Sequence, residues 1–90
     1  MNAAGRHAEI TGRVLKKGTS TPLPRVKVIA SNGIKTFEDV TDVKGNYKLS
    51  VSPELYNVQF ILPNYQEVQV NDVLVDAAQK QVVNSALQSA

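Results

Sequence analysis

Residues 41–51 read TDVKGNYKLSV. Tyr47, Leu49 and Val51 share one face of an extended segment while Lys48 and Ser50 share the other, which is the pattern of a half-buried strand. Thr41, Asp42 and Gly45 precede it as a turn. In such a turn the carboxylate accepts backbone N–H groups, glycine takes the positive φ that other residues avoid, and the following aromatic residue, Tyr47, is delivered inward. Asp42 reads as a structural cap.

The same period of two extends from this stretch in both directions. Upstream, EITGRVL (9–15) puts Ile10, Gly12 and Val14 on one face and Thr11 and Arg13 on the other. KKGTSTPLP (16–24) then carries a glycine and two prolines, which end pairing because proline has no N–H to donate. RVKVIAS (25–31) turns Val26, Val28 and Ala30 inward and Arg25 and Lys27 outward, and Asn32-Gly33 marks a tight turn back into a third strand. In IKTFEDVT (34–41) Phe37 and Val40 have opposite parity, which predicts a bulge or an irregular edge.

Downstream, LYNVQFIL (55–62) alternates Tyr56, Val58, Phe60 and Leu62 with Asn57 and Gln59. Pro63 interrupts, QEVQV (66–70) adds Val68 and Val70, and KQVVNSAL (80–87) closes the chain with Val83 and Leu87 on one face. DVLVDAAQK (72–80) reads as a loop or one helical turn. Seven short strands separated by turns predict an all-β fold, a seven-stranded antiparallel β-sandwich over a valine-rich core. The expected domain spans 9–88, with residues 1–8 as an N-terminal tail.

Composition narrows the chemistry. Ninety residues suit one domain. The absence of cysteine excludes disulfides, thiolate catalysis and sulfur-ligated zinc. No apolar run approaches the roughly 20 residues of a membrane-spanning helix, so direct membrane insertion is not expected, and the opening MNAAGRHAEI lacks the apolar stretch of a signal peptide. Nine basic and four acidic residues lie up to Lys48, against one basic and four acidic after it. Because the halves of a sandwich interleave in space, this asymmetry does not by itself make a patch, and no nucleic-acid partner is expected.

Taken together, ITGRV, TPLPRVKVIA, TDVKGNYKLSV and YNVQFILPNYQEVQV, followed by a closing valine-and-leucine strand, resemble the carboxypeptidase regulatory-like domain, a transthyretin-like (prealbumin-like) sandwich with an Ig-like Greek key. The resemblance covers residues 9–88. Family members usually have glycine where this chain has Arg25 and Asn64. Such domains accompany catalytic domains in metallocarboxypeptidases and precede plug and barrel domains in bacterial outer-membrane receptors. The resemblance therefore implies an accessory, extracytoplasmic module with a protein partner, no cofactor and no catalytic residues.

Several residue groups are candidates for more specific chemistry. Glu38, Asp39 and Asp42 are close in sequence, but calcium takes six or more oxygens. His7 is the only histidine, which argues against an active site like that of the transthyretin-like hydrolases of purine breakdown, since that chemistry wants a poised base and an electrophilic clamp. Lys16 or Lys17 with Asn84 invites comparison with the lysine–asparagine crosslink of collagen-adhesin B-type domains, but Val51 stands where those domains carry the required acid. For carbohydrate, as in starch-binding-like domains, Phe37 and Tyr65 are the rings left to stack on a sugar once Tyr47, Tyr56 and Phe60 turn inward. Arg13, Arg25 and Lys27 face outward and make one basic docking stripe if the first two strands are neighbours.

Overall fold

Tyr56, Val58 and Phe60, the inward residues of the most regular alternation, are each no more than 1% exposed, and two sheets close over them. The computed structural model describes residues 8–90, which form eight strands and, among those residues, no helix. They are β1 (Ala8–Lys16), β2 (Lys27–Ser31), β3 (Thr36–Val40), β4 (Asn46–Val51), β5 (Leu55–Ile61), β6 (Val68–Leu74), β7 (Lys80–Val82) and β8 (Ser85–Leu87). One sheet has the order β4-β1-β7, with β8 also on β1, and the other has β3-β2-β5-β6.

The inward positions of both sheets meet in one core, in which Ile10, Val14, Val26, Val28, Ala30, Val58, Phe60 and Leu87 are fully buried. Within it Tyr47 meets Phe60 edge to face at 5.7 Å, and Tyr56 meets Phe37 in the same way at 5.9 Å. Such pairs add to the area effect because the positive ring edge meets the negative face.

The fold is the expected all-β sandwich, with four differences of detail. The closing strand is two short strands, β7 and β8, and both run parallel to β1 rather than antiparallel. The pairing breaks at Val83 and Asn84, which instead give and receive hydrogen bonds individually. The bulge expected in β3 is absent, since β3 pairs with β2 without a shift and Val40 simply faces solvent. The irregularity falls between β5 and β6, at Tyr56 and Val58, where Asp72 takes a φ of 60° and its N–H bonds the Asn57 side chain.

The remaining two differences concern element limits. β6 continues through Leu74 into the segment read as a loop or helical turn, which leaves only residues 75–79 as loop. Ala8, assigned to the tail, begins β1 opposite Val51 and is 2% exposed. Residues 1–7, with His7, lie outside the described residues.

Arg25 and Asn64, where the resemblance gives glycine as the usual residue, have φ values of 67° and 72°. Asparagine tolerates that region well and arginine less so. Arg25 is held there by its N–H bond to the Thr41 carbonyl, 3.0 Å away.

Candidate functional site

The buried polar groups hold backbone. Thr41 is 4% exposed; its hydroxyl donates to the Leu23 carbonyl at 2.6 Å and accepts from the Val26 N–H at 2.9 Å, which fixes the proline-rich loop to the β3–β4 junction. The Tyr47 hydroxyl donates to the Val83 carbonyl at 2.5 Å, at the break between β7 and β8, while the Val83 N–H bonds the Thr11 carbonyl. Val83 can come this close because Gly12 lies beneath it: a Cβ there would overlap the Val83 carbonyl oxygen and sit 2.7 Å from its carbon. Burial pushes the Tyr47 phenol well above its ordinary value, because the phenolate would lose its water. The Tyr56 hydroxyl donates to the Ser52 carbonyl at 2.7 Å.

In the turn of residues 41–46, Asp42 Oδ1 accepts the N–H groups of Lys44 and Asn46 at 2.9 and 3.0 Å, and Gly45 has a φ of 78°. Oδ1 of this carboxylate is therefore committed to the backbone of its own turn. Glu38 faces outward toward Lys27, and Asp39 turns to the other side, where Oδ2 accepts the Lys48 N–H at 2.9 Å across the gap between the sheets. The three acids do not converge. Among the described residues no three His, Cys, Asp or Glu side chains are grouped to hold a metal ion.

The basic stripe of Arg13, Arg25 and Lys27 does not form. β1 and β2 belong to different sheets, so Arg13 and Lys27 lie on opposite outer faces, with Arg25 in the loop ahead of β2. Lys27 is also within 4.0 Å of Glu38. Arg13 and Lys27 are exposed, as their parity on the strands requires, but orientation does not say which strands are neighbours. Lys16 sits opposite Leu87, while Asn84 accepts the Arg13 N–H at 2.9 Å. Phe37 and Tyr65 are half-buried against the core and stand apart: Phe37 is on the edge strand β3, and Tyr65 follows β5 beside the opposite edge strand β6.

Two outer faces remain, one on each sheet. On the first sheet, Thr11 lies between Lys48 and Val82, Glu9 between Ser50 and Lys80, and Arg13 beside Asn46. Arg13, Lys48 and Lys80 are exposed; Lys48 is 3.6 Å from Glu9, and Arg13 Nε donates to the Lys44 carbonyl. The second sheet presents amides: Gln59 Nε2 donates to Glu67 at 2.9 Å and to Gln69 at 3.3 Å, and Gln69 Nε2 donates to Asn71 at 2.7 Å. The strands of the first sheet carry Arg13, Lys16, Lys48 and Lys80 against Glu9, whereas those of the second carry Glu38, Asp39 and Asp72 against Lys27. Sequence reasoning missed Lys48 and Lys80 because they meet only through a register it cannot supply. Their parity beside Thr11 and Val82 was the one available signal.

The sequence matches the family described as the carboxypeptidase regulatory-like domain over residues 9–88. No curated protein matches it. Among solved structures, one similar fold occurs in a Bacteroides uniformis protein whose suggested activity is carbohydrate binding, at 19% identity and a TM-score of 0.71, over 89% of this chain and 40% of that one. Another occurs in a type II cohesin–X-dockerin complex of Acetivibrio cellulolyticus, at 17% identity and a TM-score of 0.64, over 87% and 52%. A third is the minor pilin of Streptococcus agalactiae, at 16% and 0.60, over 94% and 44%. At such identities the likeness is one of fold alone, and this chain spans only about half of those chains or less.

Proposed function

Since the chain belongs, over residues 9–88, to the carboxypeptidase regulatory-like domain family, we propose that it is a non-catalytic accessory module of a larger cell-envelope or secreted bacterial protein, acting as spacer and protein-docking domain. One observation carries this reading: the buried hydroxyls of Thr41 and Tyr47 are committed to backbone, and the charged side chains of Arg13, Lys27, Lys48 and Lys80 are exposed on the outer faces. Exposed, polar, charged surfaces suit protein docking better than they suit chemistry, which needs converging groups in a water-excluding site.

The spacer role has support from topology. β1 starts beside Val51, at the end that also holds the β2–β3 hairpin and the β4–β5 turn. β8 ends beside Lys16, and Ser89 bridges Tyr65 at the far end. A chain passing through the module thus crosses its long dimension, 46 Å against 24 and 17 Å. The extracytoplasmic setting rests on the family and on the minor pilin among its structural likenesses. No helix among the described residues is long and apolar enough to cross a membrane.

A carbohydrate-binding role is the second reading, favoured by the linked amides Gln59, Gln69 and Asn71 and by the Bacteroides likeness. It lacks a stacking platform, because Phe37 and Tyr65 are half-buried and far apart in sheet order. Titrating the ¹⁵N-labelled chain with neutral gluco-, xylo- and cello-oligosaccharides at millimolar concentration separates the two. The docking reading expects unmoved amide resonances. Saturable shifts along Gln59, Gln69 and Asn71 would replace it with the sugar-binding one.

A further inference from the structure

We propose that the outer face of the β4-β1-β7 layer is the docking surface, and that its partner is an acidic protein surface engaged by Arg13, Lys48 and Lys80. This rests on the docking reading above and adds the face and the chemistry of the partner. The three cations come from three different strands and reach one face only because β7 runs parallel to β1 with Lys80 opposite Glu9, while β4 runs antiparallel with Lys48 opposite Thr11.

Charge complementarity selects the partner. Glu9 is the only carboxylate on the strands of this layer, and it faces Lys48 at 3.6 Å. Arg13 is pinned through Nε to the Lys44 carbonyl, 2.9 Å away, which fixes the direction of its guanidinium and leaves its two terminal nitrogens to meet a carboxylate as a fork. The face has no aromatic ring on its outward positions, so it offers a sugar nothing to stack on, and Val82, 56% exposed, is the sole large apolar side chain exposed on its strands. An apolar partner would find no anchor there. Complementary acids would find three cations around Thr11, which lies between Lys48 and Val82, an arrangement that gives fast, salt-sensitive association.

The test uses the whole ¹⁵N-labelled chain and three probes: a Glu/Asp-rich peptide, its Gln/Asn counterpart, and an oligomer of polygalacturonate. The acidic peptide is expected to move the amide resonances of Thr11, Arg13, Lys48, Lys80 and Val82, with affinity falling about tenfold between roughly 0.02 and 0.3 M salt. The Lys48→Glu/Lys80→Glu double variant is expected to weaken it by about tenfold or more, while Lys27→Glu, on the opposite face, leaves it unchanged. Should the double variant disturb the spectrum, Lys48→Gln and Lys80→Gln separately serve the same purpose.

Shifts confined to the second sheet, or an affinity unchanged in the double variant, would overturn the assignment of the face. Tighter binding of polygalacturonate than of the peptide would overturn the choice of a protein partner, and shifts that follow protein concentration alone would name a second copy instead. None of these outcomes bears on the oligosaccharide titration, so the accessory role and the docking face fail separately.

Discussion

Gly12→Ala is expected to lower the stability of the domain by about 3 kcal/mol. The added methyl group would overlap the Val83 carbonyl oxygen, approach its carbon to 2.7 Å and reach 2.9 Å from the Tyr47 ring. Two of these neighbours are backbone and cannot rotate away, so the β7–β8 junction must move off β1. That movement stretches the Val83 N–H bond to Thr11, now 2.7 Å, and the Tyr47 bond to Val83, now 2.5 Å. Each is worth about 1 kcal/mol net, and overpacking adds about 1–3. For a domain of this size the loss corresponds to a fall in Tm of roughly 12–24 °C, readable by thermal unfolding followed by circular dichroism. A fall of only a degree or two would mean that the last strands are not seated on β1 as described.

Gly45→Ala should cost nearly as much, for two separable reasons. Its φ of 78° strains any residue with a Cβ, by about 1–2 kcal/mol. The methyl group would also come within 2.6 Å of the Val14 carbonyl oxygen and 3.1 Å of Pro22 Cβ. Gly18 provides the comparison, with a φ of 81° and open space around it. Gly18→Ala should show the backbone strain alone, and urea unfolding of the two variants should place Gly45→Ala lower by a further 1–2 kcal/mol or so. Equal losses would show that the close approach of the turn to β1 is not tight.

The residue pattern made the layers legible and their assembly only partly so. Val26, Val28, Ala30, Tyr47, Leu49, Val51, Tyr56, Val58 and Phe60 are buried as their parity predicts, because a side chain's face follows from its place in an extended chain. Val83 and Leu87 are inward too, yet the break between them was hidden, since an even spacing survives an interruption in pairing and carries no strand direction. Phe37 was ambiguous for a related reason. With Val40 at the wrong parity a bulge was inferred, whereas the chain tolerates an exposed Val40 and turns Asp39 inward to accept the Lys48 N–H.

The candidate site was the least legible part. Arg13 was recognised as an outward cation, but its companions lie 35 and 67 residues further along the chain, at Lys48 and Lys80. The two residues grouped with it, Arg25 and Lys27, belong to the other layer's side. Grouping by nearness in sequence fails in a Greek key, where consecutive strands cross between sheets. Asp42, by contrast, could be placed from sequence, since its two N–H partners are within four residues of it.

Whether the interior polar groups serve the scaffold alone is read most directly from the ionisation of Tyr47, followed by the ¹³Cζ resonance of labelled tyrosine. In the folded protein burial holds the phenol protonated, whereas in the unfolded chain it ionises at about 10. The unfolded state therefore loses the proton first. Stability from this group is unaffected below about pH 10 and declines above it, by up to about 1.4 kcal/mol per pH unit until the folded phenol also ionises. The Tyr47 resonance is accordingly expected to stay at its neutral position above pH 10 for as long as the fold persists. Ionisation near 10 in the intact fold would mean a hydroxyl open to water and free for a ligand, and it would contradict a sandwich whose function lies on its outer faces.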